Sequence, residues 1–234
     1  MPLSRHGLWE LLIGTAVLLA ASALLGWLWW PLAFAPLPVL LWLFAFFRDP
    51  NRTAPGDAQQ WVSPADGTVS DIGIIEQDEH LGGPALRIGI FLSVFNVHVN
   101  RSPCDGVVTQ VIYKKGKFVN ALHHATASAD NESNTIIMAD RATQRPIATV
   151  KQIVGLIARR IICEPTAGTT LTRGQRIGMI KFGSRTELSV PMWLNPQATV
   201  KPGDKVSGAK DVICTVTLSP SPEAHREVAV VERR

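Results

Sequence analysis

The first fifth of this 234-residue chain is almost continuously apolar, while the remainder reads as a water-facing protein. Residues 8–25 form one apolar stretch and residues 27–47 another, each close to the roughly 20 residues a helix needs to cross the hydrocarbon core of a bilayer. Gly26, Pro31, Pro36 and Pro38 interrupt the block and argue against one straight helix through it. Trp27, Trp29 and Trp30 cluster at the join, as interfacial aromatics do. Arg5 precedes the first stretch, and Arg48 and Arg52 follow the second. The positive-inside rule therefore predicts a transmembrane helical hairpin over residues 1–49, with both ends cytoplasmic and the rest of the chain at the cytoplasmic face of the cell (inner) membrane. The small residues in Leu19-Ala-Ala-Ser-Ala23 raise a cleavable signal peptide as the competing reading, but the second apolar run follows at once and would act as a stop-transfer segment.

Beyond residue 50 the pattern changes. Leu86-Arg-Ile-Gly-Ile-Phe-Leu-Ser-Val94, Gly106-Val-Val-Thr-Gln-Val-Ile-Tyr113, Asn134-Thr-Ile-Ile-Met-Ala139 and Ile147-Ala-Thr-Val-Lys-Gln-Ile-Val154 are short, β-branched runs separated by Gly, Pro, Asn or Asp. Residues 176–182, 186–190 and 211–218 look alike. Residues 116–126 are the one helical candidate, and a strand is possible there too. The expected fold is mainly β (α+β), an antiparallel barrel or sandwich over residues 50–220 behind the hairpin. Residues 221–234 are charged and proline-containing and are expected to be disordered.

Composition narrows the chemistry. The net charge of +4 is scattered and most aromatics lie in the apolar block, so nothing suggests a nucleic-acid partner, whereas a mildly basic surface suits anionic lipid headgroups. Cys104, Cys163 and Cys214 are unpatterned and fit free thiols in a reducing compartment. His123 and His124 are adjacent, so their side chains diverge, and no carboxylate stands at metal-ligand spacing; no metal is expected. His80 and His225 sit in polar surroundings, and no phosphate-binding glycine motif is present. Arg159-Arg160 fits a solvated strand face better than a phosphate contact.

Three residues could carry chemistry. Asp66, in Val62-Ser-Pro-Ala-Asp-Gly-Thr-Val69, reads first as a turn. His98, in an apolar run, reads first as a satisfied core histidine. Ser184 follows Gly183 between two apolar runs, where a strand must bend; taken alone it is an exposed hydroxyl on a β-bulge. A glycine at a bend also leaves its carbonyl open to a neighbouring hydroxyl. Together Asp66, His98 and Ser184 supply an orienting carboxylate, a base and a nucleophile from three strand ends.

Set in order, several stretches resemble the phosphatidylserine decarboxylases of the short bacterial and archaeal type. They are Phe47-Arg-Asp-Pro-Asn-Arg52, Ser63-Pro-Ala-Asp-Gly67, Val97-His-Val-Asn-Arg-Ser-Pro103, Lys117-Phe-Val-Asn-Ala121 with Asn131-Glu132, Val150-Lys-Gln-Ile-Val-Gly-Leu-Ile-Ala-Arg-Arg160, and Ile177-Gly-Met-Ile-Lys-Phe-Gly-Ser-Arg185. The resemblance implies a self-processing lyase that makes phosphatidylethanolamine from phosphatidylserine in the membrane. Its cofactor is a pyruvoyl group, neither a metal nor pyridoxal phosphate. The cut falls between Gly183 and Ser184: the Ser184 hydroxyl attacks the Gly183 carbonyl, the ester eliminates, and residue 184 becomes the pyruvoyl that forms a Schiff base with the substrate amine. The products are a heterodimer of a large chain, 1–183, and a small chain, 184–234. His98 is the expected proton donor to the carbanion and base in maturation, with Asp66 orienting or polarising it. Arg101 and Arg185 are expected at the mouth, against the substrate carboxylate and phosphate.

One departure stands out. Longer members carry a second histidine three positions after the one matched by His98, and Arg101 occupies that place here. Either one imidazole serves both steps or Arg101 binds the headgroup. An archaetidylserine-like substrate, a membrane-anchored serine hydrolase without self-cleavage, and a non-catalytic β module suggested by Val200-Lys-Pro-Gly-Asp-Lys-Val-Ser-Gly208 are the rival readings.

Overall fold

A computed structural model describes residues 2–117, 128, 130–155, 160–181 and 183–217. The helical candidate at 116–126 from residue 118 onward, His123, His124, Arg159, His225 and the tail from 221 lie outside them.

The apolar block folds as two helical legs that differ. Helix α1 (Leu8–Leu28) is about 30 Å long and, with the turn before it, gives a 24-residue helix that contains an 18-residue stretch of mean hydropathy 2.2. It is the single helix among the described residues long and apolar enough to cross a membrane. The return leg is broken: a 3-10 turn (Trp30–Phe34) leads into α2 (Leu37–Phe46), only 10 residues long. Pro31 lies in the 3-10 turn, and Pro36 and Pro38 sit at the entry to α2. A proline removes a backbone donor, so the chain restarts its helix there instead of running through. The ends of the hairpin are stitched together: Ser4 N–H donates to Phe47 O at 2.8 Å and Asp49 N–H to Pro2 O at 2.8 Å. Both ends therefore emerge at one place, against the β domain.

That domain is antiparallel in every ladder. Its strands are β1 (Gln60–Val62), β2 (Gly67–Asp78), β3 (Gly83–Leu92), β4 (Val99–Arg101), β5 (Gly106–Lys114), β6 (Ser133–Ala139), β7 (Pro146–Val154), β8 (Arg160–Cys163), β9 (Thr170–Leu171), β10 (Arg176–Lys181), β11 (Ser184–Pro191), β12 (Gln197–Ala198), β13 (Lys205–Val206) and β14 (Val212–Thr215). An eight-stranded sheet runs β13-β2-β3-β11-β7-β6-β5-β9, and two three-stranded sheets run β4-β10-β8 and β1-β14-β12. Ile88, Ile90 and Leu92 alternate inward from β3, as period 2 requires, and meet Ile136, Met138, Val150, Leu188 and Val190 in the main core. The β1-β14-β12 sheet closes that core with Trp61 and Ile213. The mainly β, antiparallel expectation holds.

Two placements follow from glycine. A Cβ on Gly67 would lie 2.2 Å from Phe91 O, so only glycine lets β2 start flush against β3 directly after Asp66. Gly183 has φ +59, a left-handed conformation that turns the chain out of β10 and into β11, two strands of different sheets.

Candidate active site

Ser184 opens β11, the strand held on both sides, with Leu92 of β3 and Val154 of β7 as its ladder neighbours. It is wholly buried, not the exposed hydroxyl of a simple bulge, and its Oγ has no hydrogen-bond partner among the described residues. A buried hydroxyl without a partner costs roughly 1–3 kcal/mol, so its retention at a bend calls for a reason outside stability.

His98 reaches the same corner by another route. It stands just before β4, and its carbonyl accepts from Ile180 N–H at 3.2 Å, near the end of β10 that leads to Gly183. Two residues on, Asn100 donates from Nδ2 to Thr186 Oγ1 at 3.1 Å and accepts from Gln152 Nε2 at 3.0 Å, tying this face of β4 to β11 and β7. The imidazole is 0% exposed, and Phe46 lies against it at 4.3 Å between ring centroids. Burial, with a smaller contribution from the Arg48 charge, pushes its pKa down to about 4, against the opposing pull of the Asn96 hydrogen bond and the Asp66 charge. The ring is thus neutral at pH 7. Nδ1 faces the Asn96 carbonyl at 3.0 Å, and a carbonyl can only accept, so Nδ1 carries the proton. Nε2 is left with a bare lone pair and no partner among the described residues. Ser184 Oγ and His98 Nε2 are thus both buried and, among the described residues, both without a partner.

Asp66 does not complete a hydrogen-bonded triad. Its Oδ2 accepts from Arg52 Nη2 at 2.8 Å, and its Oδ1 accepts from Arg52 Nη1 and from Gly208 N–H, the latter at 2.8 Å. The carboxylate is clamped by a fork and a backbone amide, and it acts on His98 through space by favouring the protonated ring. What orients the ring is Asn96 and Phe46. Of the two expected roles for Asp66, orienting or polarising the base, the geometry offers a hydrogen bond for neither among the described residues, and its charge reaches the ring through space.

The two arginines are also placed differently from expectation. Arg101 is 3% exposed; its Nη2 donates to Asp49 Oδ1 at 2.9 Å and to Pro50 O at 2.8 Å, and its Nη1 to Gly174 O at 3.1 Å. Arg176 closes on the other oxygen of Asp49 at 2.6 Å. Arg185 is 0% exposed, with Nε on Glu187 at 2.8 Å, Nη2 on Asp71 at 2.6 Å and Nη1 on Ser70. Burial alone would raise the Asp71 carboxyl, but Arg185, Ser70 and Arg87 together hold it below the usual range. A Cβ on Gly89 would fall 2.0 Å from Arg185 Nη2, so that glycine makes the room for the guanidinium. Both cations are paired with carboxylates inside the protein, and Arg101 also lines a cavity shared with Arg5, Arg52 and Arg173.

Sequence reading missed Arg52, Asn96, Asn100 and Phe46. The signal was present for two of them, since Arg52 ends the Phe47-to-Arg52 motif and Asn100 lies in the Val97-to-Pro103 motif, but the partner of Arg52 lies 14 residues away. The turn at 200–208, a hint of a carrier-like module by sequence, supplies the Gly208 amide to Asp66.

A sequence model of the phosphatidylserine decarboxylase family matches residues 39–214. The chain belongs to this family. It is 42% identical over 212 residues to the phosphatidylserine decarboxylase proenzyme of Rhodopirellula baltica, covering 91% of this chain and 87% of that one. It is 41% identical over 216 residues to the proenzyme of Ralstonia nicotianae, covering 90% and 94%. The corresponding protein of Neisseria gonorrhoeae is 42% identical over 215 residues, covering 89% of this chain and 76% of its own. The matched range includes Asp66, His98 and Ser184. No group of three or more metal-ligating side chains occurs among the described residues.

Proposed function

We propose that this protein is a proenzyme that cuts itself between Gly183 and Ser184 and then decarboxylates phosphatidylserine to phosphatidylethanolamine. The observation that carries the reading is that Ser184 Oγ and His98 Nε2 are both buried and, among the described residues, without partners, with Gly183 at φ +59 directly before Ser184. The names of the relatives supply the substrate and the proenzyme character.

Neutral His98 takes the Ser184 hydroxyl proton on Nε2, and Oγ adds to the Gly183 carbonyl carbon. The C–N bond of the scissile peptide breaks, the freed amine takes the proton, and an ester joins Gly183 to Oγ. A base then removes the Cα proton of residue 184, the Cβ–Oγ bond breaks, and Gly183 leaves as a carboxylate on the large chain, 1–183. The dehydroalanine left on the small chain, 184–234, tautomerises, adds water and loses ammonia, giving a pyruvoyl terminus. Asp66, fixed by Arg52, favours the transient imidazolium through space.

When present, that pyruvoyl carbonyl supplies an electron sink for the carbon that loses CO2. The protein's own contributions are to bury residue 184, to exclude water with the Phe46 wall, and to take up on His98 Nε2 a proton released by the substrate ammonium and return it to the carbon that loses CO2. One imidazole serves both steps in this reading, because Arg101 is committed to Asp49. The long apolar α1 and the stitched hairpin base support a membrane-anchored domain that meets lipid at the bilayer surface, on the cytoplasmic side by the placement of Arg5, Arg48 and Arg52.

Intact-mass spectrometry of the purified protein tests this. Two chains are expected, the smaller beginning with pyruvoyl in place of Ser184 and blocked to Edman sequencing, and Ser184→Ala should leave one chain. A single uncut chain in active wild-type protein would sink the proposal.

A further inference from the structure

The scissile bond lies where the chain passes from one sheet to another, and the two sides are held very differently. Downstream, β11 is gripped by β3 and β7 along its length. Upstream, β10 loses β4 just before the bond: its last contact on that side is Ile180 N–H to His98 O. Among the described residues, the ladder neighbour of Lys181 is Arg160 of β8.

The side chain of Lys181 makes up the difference. It is 5% exposed, and its ammonium pairs with Glu10 in the first turn of α1. The Phe47 ring lies 6.0 Å from the same ammonium. Beneath the pair, Leu11, Phe46 and Phe47 pack with Met179 of β10 in a cluster separate from the main core. Phe46 in turn carries the His98 ring. The foot of the apolar hairpin thus touches both the strand end that presents the Gly183 carbonyl and the base that activates Ser184.

We propose that Glu10 is a positioning residue for chain cleavage. Its ion pair with Lys181 sets the strand end before the scissile bond in register with His98, so the chain matures only when α1 is docked on β10. The inference rests on the self-cleavage reading above. It adds a control to that reading: a chain whose hairpin has not yet folded against the β domain stays uncut, and the reactive carbonyl is made only in protein that already has its anchor in place.

The reason lies in the geometry of attack. Oγ must approach the carbonyl carbon within near-attack distance and direction, and a displacement of about 1 Å can cost 10²-fold in rate. A buried ammonium without its anion would move toward water and take the strand end with it.

The test follows cleavage of full-length chain synthesised into lipid vesicles, by the fraction of intact chain with time. Glu10→Gln and Lys181→Met are each expected to slow cleavage by about tenfold or more, while Lys181→Arg and the exchanged pair Glu10→Lys with Lys181→Glu stay within about threefold of wild type. Decarboxylation per pyruvoyl-bearing chain should be unchanged in all four, because the pair acts before the cofactor exists; a merely structural defect would lower turnover along with cleavage. Wild-type cleavage rates in Glu10→Gln and Lys181→Met, or an exchanged pair as slow as they are, would overturn the proposal. A wild-type chain that never cuts would instead bring down the self-processing reading, and this inference with it.

Discussion

Strand β4 is three residues long, and its two ends are opposite in kind. At Arg101 a buried cation meets Asp49, with Arg176 and two backbone carbonyls completing the cluster. At His98, just before the strand, a buried base and a buried hydroxyl are left without partners among the described residues. The first end is arranged for stability, since burying the charge is tolerable only because it is answered. The second forgoes hydrogen bonds that the fold could have made. Polar groups kept unpaired inside a protein are a strain reservoir, and here they sit beside the one bond the chain is proposed to break.

Breaking each end separates the two kinds. His98→Gln keeps the size and polarity but removes the base; self-cleavage should slow by at least about 100-fold, read as uncut chain on a gel, with little change in the denaturant midpoint. Normal cleavage in that variant would dissolve the distinction. Arg101→Met should do the reverse: stability falls by about 3 kcal/mol in a denaturant titration, because Asp49 keeps only the half-exposed Arg176. The KM for phosphatidylserine of the folded fraction should stay near wild type, and a large rise would return Arg101 to the headgroup.

Acidity sharpens the contrast at smaller scale. The folded pKa of His98, about 4, lies below its unfolded value of 6.5, so the unfolded chain binds the extra proton first. The His98 contribution to stability is therefore fully present above pH 6.5, and it is lost progressively as pH falls from 6.5 to 4, by up to about 3 kcal/mol. The loss should vanish in His98→Gln when midpoints are compared at pH 7 and pH 4.5. An equal loss in the variant would place the titration elsewhere.

Much of this was legible in the residue order, for identifiable reasons. Strands β3, β5, β6 and β7 appear as β-branched runs because both faces or one face of each are buried, and period 2 marks burial directly. The 12-residue β2 was invisible: its Ser70, Asp71, Glu76 and Gln77 face water or ion pairs, so it carries little apolar alternation. The three candidate residues were found by type and spacing. Their relations were not, because the partner of Asp66 is an arginine outside the sheet and the wall behind His98 belongs to the apolar hairpin. Arg101 and Arg185 looked like surface cations because a sequence shows charge but not the distant carboxylate that answers it. Proline told where the second apolar leg breaks, yet not that the feet of the two legs bond to each other.

The central position of β11 has a thermodynamic consequence. Its ladders are supplied by β3 and β7, and β14 and β13 beyond it pair with β1 and β2, so every strand that precedes residue 184 in these pairs would belong to the other piece. While the chain is continuous, folding is unimolecular and indifferent to concentration. Once it is cut before Ser184, reassembly becomes a meeting of two polypeptides, and dilution opposes it. If the proposed cut is made, a molecule that unfolds at low concentration would refold only by meeting its other piece, whereas the uncut chain needs no partner. Its lifetime is then governed by how slowly the interleaved sheet opens, a rate rather than an equilibrium.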